Sequence, residues 1–324
     1  MKKIFLLVIC AIFFISATSC QRARKAGFDA EGNLHGRISI SGAWAMYPMV
    51  VRWAEEFRKL HPHVQIDISA GGAGKGMTDV LNNMVDLAMV SRGINPGEIA
   101  QNAWFVAAAI DAVVPTFNTE NPNRDAILLQ GLTRGQFQNI FLEEGQKDWS
   151  QFLPGGQGSI NVYTRSDASG AGETWALYLG SAQEDLLGIG VFGDPGIANI
   201  VRNDVAGVGF NNIAFAFDIK TGQPFEGLGI IPLDLNEDGR ISPEESFYTN
   251  LTEVMDAISS GKFPTPPARN LYFVSHGEPT NIAVIVFLRW VMLHGQEFAP
   301  EAGYVAISEE TISQNLKKLP ALVE

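Results

Sequence analysis

Two glycine-rich segments far apart in the chain, Ser69-Ala70-Gly71-Gly72-Ala73-Gly74-Lys75-Gly76 and Arg165-Ser166-Asp167-Ala168-Ser169-Gly170-Ala171-Gly172, each stand between an extended apolar run and a helix-like run. A strand that turns through glycine directly into a helix is the joint of an α/β sheet, and it leaves a bare helix N-terminus at the strand's carboxyl end. Glycine lets other groups approach the backbone closely, the first helical N–H groups lack internal partners, and the aligned peptide dipoles favour negative charge. Each joint is therefore equipped to hold a small anion. Arg165 adds a planar guanidinium able to grip a tetrahedral oxyanion through two parallel hydrogen bonds.

The same alternation recurs along the chain. Residues 37–40 read as a strand, and 48–60 as a helix with Pro48 in its first turn and Val50, Trp53, Ala54 and Phe57 on one face. Residues 64–68 are the next strand, 77–84 the next helix and 87–90 the next strand, a pattern that predicts a mainly parallel sheet flanked by helices. The apolar, β-rich run 106–117 gives way to polar residues 118–123 and reads as a crossover into a second lobe. There 161–164 and 205–210 are strands and 173–179 a helix. A return near Pro264-Thr265-Pro266-Pro267 leads to a strand at 271–274 and a helix at 282–293. The predicted division is 37–114 plus 267–324 for lobe 1 and 115–266 for lobe 2. Two lobes with two crossings leave a cleft, and helix N-termini at the ends of parallel strands face it.

The ends and the composition bound the setting. Met1-Lys2-Lys3, an apolar run over 4–15 and Ser16-Ala17-Thr18-Ser19 read as a secretion signal over 1–19, since the apolar run is shorter than the roughly 20 residues a spanning helix needs. Small residues before Cys20 resemble a bacterial lipoprotein cleavage site, which makes Cys20 the acylated first residue of a periplasmic or cell-surface lipoprotein; the alternative is an ordinary signal peptide cut nearby. Residues 20–36 are polar, contain three glycines and read as a tether. The only other cysteine, Cys10, falls within the signal, so no disulfide is expected in the mature chain. A hydrophobic content of 46% supports two domain cores. The run 282–293 carries Arg289 and reads as a buried helix rather than a membrane span. Net charge is −12, and −14 without Lys2 and Lys3, which argues against nucleic acid but permits an anion held by local dipoles.

Other chemistries find little in the chain. Ser69 stands where a Walker loop needs its first glycine and Gly76 follows Lys75, and the spacing Gly72, Gly74, Gly76 is not that of a dinucleotide fold. There is no His-Glu-x-x-His pair and no Gly-x-Ser-x-Gly elbow, and His35, His61, His63, His276 and His294 show no ligand spacing. Ser169 beside Arg165 lacks a general base with supporting pattern, so catalysis is not expected. The structural readings of the same residues are a tight strand-to-helix turn at 70–76, a surface pairing of Arg165 with Asp167, and an exposed loop charge at Arg92.

With these segments the chain resembles a family, the phosphate-binding receptors of bacterial ABC importers within the two-lobed, type II-like periplasmic binding proteins. The likeness runs from about 38 to 307 and rests on Ser41-Gly42…Tyr47-Pro48, Gly71-Gly72…Gly74-x-Gly76, Asp86-Leu87-Ala88-Met89-Val90-Ser91-Arg92, Arg165-Ser166-Asp167-x-Ser169-Gly170, Pro264…Arg269-x-Leu271-Tyr272-Phe273 and Gly303-Tyr304-Val305. The resemblance implies a phosphate clamped between lobes by hydroxyls, backbone N–H groups and one arginine, and delivery to an ABC permease by a monomer. It carries over to Tyr47, Ser91, Arg165, Ser169 and Gly170. Side-chain donors usual in the family are replaced by Met46, Ala73 and Ala171, and Ser91 stands where some members have an aspartate. The expected site is thus Arg165 as charge clamp, Ser169, Gly170 and Ala171 as helix-terminal donors, Ala73, Gly74 and Lys75 as the opposing cradle, with Met46, Tyr47, Ser91 and Arg92 beside them. The ligand is inorganic phosphate or a related oxyanion. Alternatives are a sensor or scavenger of the same fold, or a secreted calcium-dependent phosphoryl-transfer enzyme.

One motif lies outside that likeness. Residues 234–245 fit a twelve-position calcium loop, with Asp234, Asn236, Asp238, the Arg240 carbonyl, Ser242 and Glu245 at the liganding positions and Gly239 at the sixth. The bland reading is a solvated acidic turn. A calcium ion here would staple the second lobe; no cofactor is expected for ligand capture itself.

Overall fold

In the computed structural model, which describes residues 26–322, the first half of the chain runs β1 (Gly27–Phe28), β2 (Leu34–Gly42), α1 (Tyr47–Leu60), β3 (His63–Ala70), α2 (Ala73–Leu81), β4 (Leu87–Val90), α3 (Pro96–Ala100) and β5 (Ala103–Asn118). It continues through α4 (Arg124–Gln130), α5 (Arg134–Leu142), β6 (Lys147–Asp148), β7 (Ser159–Arg165), α6 (Gly170–Leu179), β8 (Ile189–Val191), α7 (Gly193–Asn203) and β9 (Gly207–Asn212). The remainder is α8 (Ile213–Ala216), β10 (Leu228–Ile230), α9 (Leu251–Ser259), β11 (Ala268–His276), α10 (Ile282–Leu293) and α11 (Glu309–Lys318). The predicted signal, Cys20 and the start of the tether lie outside the described residues. From Gly27 the predicted tether is sheet instead, since β1 pairs antiparallel with Leu34 and His35 of β2.

The strands form one path, β1-β2-β4-β11-β5-β9-β7-β6, with β3, β8 and β10 attached beside it. Pairing is parallel between β2 and β3, β2 and β4, β7 and β8, and β7 and β9. It is antiparallel wherever β5 and β11 take part. The sheets are thus mixed rather than mainly parallel, because the two crossing strands run against the strand-turn-helix units on either side. Along β5 the burial passes from one core to the other. Val106 to Ala109 pack with Trp53, Phe57, Phe273 and Phe287, whereas Ala112 to Phe117 pack with Trp175, Phe137, Phe141 and Phe210. β11 returns between the same two cores, with Ala268 in the second and Leu271 in the first.

Local chemistry explains the elements nearest the cleft. α1 carries Pro48 in its first turn, where a missing N–H costs nothing, and buries Met49, Val50, Trp53, Ala54 and Phe57. Just before it, Trp44–Met46 form a 3-10 turn that Tyr304 holds in place, its buried hydroxyl donating to the Ala45 carbonyl at 2.7 Å. α2 begins at Ala73, four residues earlier than the apolar period suggests, because Gly72 at φ 96° turns the chain directly into it. α10 is apolar because it is buried in the first core, and Arg289, its one charge, donates to the carbonyls of Leu319 and Pro320 at 3.2 and 2.8 Å. Among the described residues no single helix is long and apolar enough to cross a membrane.

The joint between β2 and α2 depends on an absent side chain. A Cβ on Gly76 would lie 2.6 Å from Gly42 Cα and 2.8 Å from the Ser41 carbonyl oxygen, both backbone atoms that cannot rotate away. The substitution Gly76→Ala is expected to destabilise the protein by about 1–3 kcal/mol by forcing helix and strand apart, which a lowered urea midpoint at unchanged slope would register.

Candidate ligand site between the lobes

The ends of β2, β4 and β7 and the starts of α1, α2, α6 and α7 converge on one seam, where the lobes are in direct contact. From lobe 1 the Gly74 N–H donates across it to the Ala168 carbonyl at 3.2 Å. Gly170 lies so close to Ser91 that a Cβ would sit 2.1 Å from its Oγ and 2.5 Å from its carbonyl oxygen. Trp44 meets Phe192 edge-on at 6.3 Å. A cavity of about 760 Å³ opens beside this contact, lined by Gly74, Arg92, Arg165, Asp167, Glu173 and Gln183 among others. A second groove, of about 500 Å³, lies on lobe 2 along β10 and away from the seam.

Arg165 ends β7 with its side chain 1% exposed. Its Nε and Nη2 donate to the two carboxylate oxygens of Asp167 at 2.8 and 2.6 Å, and its Nη1 to Asp194 at 2.6 Å. The parallel pair of donors expected to grip an anion therefore grips Asp167, in a buried rather than a surface pairing. Of five guanidinium hydrogens, one on each Nη is left over. The burial opposes the charge, but Asp194 and Asp167 more than compensate and hold the group firmly protonated. Asp194, in the first turn of α7, is itself fixed, since its Oδ1 accepts the Asn212 N–H at 3.1 Å.

At α6 the Ser169 Oγ is a conventional N-cap, accepting the N–H groups of Ala171 and Gly172 at 3.1 and 3.2 Å, and Ser169 N–H donates to Gln183 at 2.9 Å. Ala171 thus has no free donor, in contrast to its expected role. The Gly170 N–H keeps no protein acceptor among the described residues. In the facing loop Gly74 is engaged by Ala168, while the Ala73 and Lys75 amides are without protein acceptors among the described residues. The Lys75 ammonium stays within its own lobe, donating to Ser41 Oγ at 2.9 Å and pairing with Asp79. Ser91 is buried at the end of β4. Arg92 is no loop charge: it is 10% exposed, forks onto Glu98 at 2.9 and 2.6 Å, and reaches across the seam to Glu173 at 3.0 Å. Met46 is buried and Tyr47 half-buried at the start of α1. The Tyr47 N–H is taken by the Trp44 carbonyl.

Within electrostatic reach of Arg165 lies a group that sequence reasoning missed. Arg269 at the start of β11 donates to Asn212 and meets Asp111 of β5 at 3.4 Å, yet its Nε and Nη1 and the Asp111 Oδ1 are buried without partners among the described residues. Leaving such atoms unsatisfied costs about 1–3 kcal/mol each, so water or ligand oxygens belong there. Arg269 stood within a familiar motif, but nothing local pointed to its partners. The 234–245 loop is elsewhere, anchored on lobe 2 by the Asp234 N–H to Leu132 and the Ile241 N–H to Leu129. Its exit helix is not immediate, since α9 starts only at Leu251. Among the described residues no three His, Cys, Asp or Glu side chains converge as a metal cluster.

Residues 29–293 match the PBP superfamily domain, and the chain belongs to that superfamily. The phosphate-binding protein PstS of Bacillus subtilis is 23% identical over 328 residues, covering 97% of each chain. Its namesake in Methanocaldococcus jannaschii is also 23% identical, covering 100% of this chain and 97% of that one. Among solved structures, a putative phosphate ABC transporter substrate-binding protein with bound phosphate from Clostridium perfringens shares the fold at a TM-score of 0.68 and 18% identity, over 84% of this chain and 100% of that one. An ABC-type phosphate transport receptor from Vibrio cholerae does so at 0.61 and 20%, over 83% and 100%.

Burial pushes the Asp111 carboxyl up to about 7, opposed by Arg269. The folded protein then keeps a proton that the unfolded chain releases near pH 4. Stability from this group is complete below pH 4 and is lost as pH rises through about 7. Asp111→Asn is expected to remove that loss, on the order of 2–4 kcal/mol between pH 5 and 8. Urea unfolding of both proteins at the two pH values measures it.

Proposed function

We propose that this protein is an extracytoplasmic receptor that captures inorganic phosphate between its lobes and presents the closed form to an ABC permease, without chemical turnover. The observation that carries the reading is the seam, where Gly170 closes on Ser91 and Gly74 on Ala168 around a buried, pre-oriented Arg165. The names of the relatives agree with it. Cys20, outside the described residues, is proposed as the lipid attachment that keeps a monomeric receptor at the membrane.

In this reading Asp167 and Asp194 aim the guanidinium, and the spare hydrogens on Nη1 and Nη2 face the ligand with the free amides of Gly170, Ala73 and Lys75. The Ser91 hydroxyl adds a donor from the other lobe, and Arg269 supplies a second positive charge within electrostatic reach. Contacts from both lobes exist together only when the cleft is shut, so the anion favours closure by the affinity difference between the two states. The carboxylates also bear on ligand choice. A protonated phosphate can donate its O–H to Asp194 or Asp167, while sulfate, fully ionised, would meet only repulsion there. This restores the acceptor that Ser91 does not provide.

Calorimetric titration with phosphate, sulfate and molybdate tests the assignment. Phosphate is expected to bind with sulfate at least about 100-fold weaker, a difference of roughly 3 kcal/mol. Tight sulfate binding with no phosphate heat overturns it. Arg165→Lys keeps the charge but loses the planar fork, and is expected to weaken phosphate about 10–100-fold, the equivalent of one charged hydrogen bond.

A further inference from the structure

Asp234 presents the least explained carboxylate in lobe 2. The residue is 3% exposed, its Oδ2 accepts the Gly239 N–H at 2.9 Å, and its Oδ1 is buried with no partner among the described residues. It opens a loop dense in negative charge, with Glu237, Asp238, Glu244 and Glu245 following within eleven residues and Arg240 the only cation among them. An unpaired buried carboxylate oxygen in such a field is unfavourable unless a cation completes it. Around it the chain folds back on itself, with Asn236 Oδ1 accepting the Asp238 N–H at 3.0 Å and Asp238 Oδ1 the Arg240 N–H at 3.1 Å.

We infer that this loop binds one calcium ion, with Asp234 Oδ1 as the primary ligand and Asn236, Asp238, the Arg240 carbonyl, Ser242 and Glu245 completing the oxygen shell. Mixed carboxylate, amide, hydroxyl and carbonyl oxygens suit calcium's six to eight ligands and exclude a thiophilic metal. Glu245 is the residue that has to move. Its Oε1 accepts the N–H groups of Leu235 and Asn236 at 2.7 and 3.0 Å, and its Oε2 the N–H and hydroxyl of Ser242 at 3.0 and 2.7 Å. Glu245 thus ties both ends of the loop together, and calcium takes it over by exchange of some of those bonds. Calcium binding is then a lock on the Leu132–Leu233 bridge of lobe 2, independent of the seam.

Chelator-treated full-length mature protein is titrated with calcium chloride by calorimetry and melted in calcium, magnesium and EDTA. One calcium per chain is expected, with an affinity near the range of about 10⁻⁴–10⁻³ M typical of extracellular modules. At saturating calcium the melting temperature should rise by about 3 °C or more, with EDTA reversing the rise and magnesium giving less. Asp234→Asn should weaken calcium at least about tenfold and leave phosphate titration unchanged, which separates this site from the receptor reading. Asp238→Asn, at an exposed position, should do the same if the first variant fails to fold. No calcium heat and identical melting in calcium and EDTA overturn the inference, as does an undiminished calcium response in Asp238→Asn.

Discussion

The placement of Arg165 between Asp167 and Asp194 sets the terms for everything around the cleft. A buried guanidinium with two carboxylates is weak evidence for stability, because desolvation offsets much of the attraction, but removing one member of such a group typically costs about 3–5 kcal/mol. Its value here is geometric. Asp167 belongs to the turn after β7, and Asp194 ties the start of α7 to Asn212 at the end of β9. One side chain therefore registers three segments of lobe 2 against each other. The guanidinium's orientation is settled inside a single lobe, and the other lobe has only to meet it.

What lobe 1 brings to that meeting is mostly backbone. Met46 and Ala73, with Ala171 opposite them, offer no side-chain donors, and the contact at Gly170 and Ser91 leaves no room for larger groups. Small residues permit this closeness, and closeness is what makes bare amides effective, since an N–H must lie within hydrogen-bond distance whereas a longer side chain can reach. The Ser169 cap shows the limit of the idea. A helix N-terminus is an anion site only for those amides its own cap leaves unpaired, and at α6 that is Gly170 alone of the three expected donors.

Legibility in the sequence followed the range of the forces involved. β4 and α10 lie at the residues their apolar runs indicate. α2 begins ahead of its apolar period because a glycine conformation rather than burial starts it. The strand-turn-helix joints, and so the neighbourhoods of Gly74, Ser91 and Ser169, were legible because they are local. The direction of β5 and β11 was not, because pairing across the sheet joins residues far apart in sequence. Arg165 was legible as a cation, but its partner Asp194 lies 29 residues on, and Arg269 meets Asp111 across 158. No spacing rule reaches that far. The family likeness pointed to the motifs without saying which of their donors would already be spent.

The pairing of β11 with β5 shifts register between Leu271 and Tyr272, close to where both strands pass from one core to the other. Between the two cores the sheet narrows to β5 and β11 beside the Ile110–Val305 bridge, and the extra residue on β5 adds local coil. The narrow crossing is therefore where a change in twist between the two halves would be taken up. Asp111 and Arg269 are paired across the two strands of that crossing, where such a change in twist would displace them least.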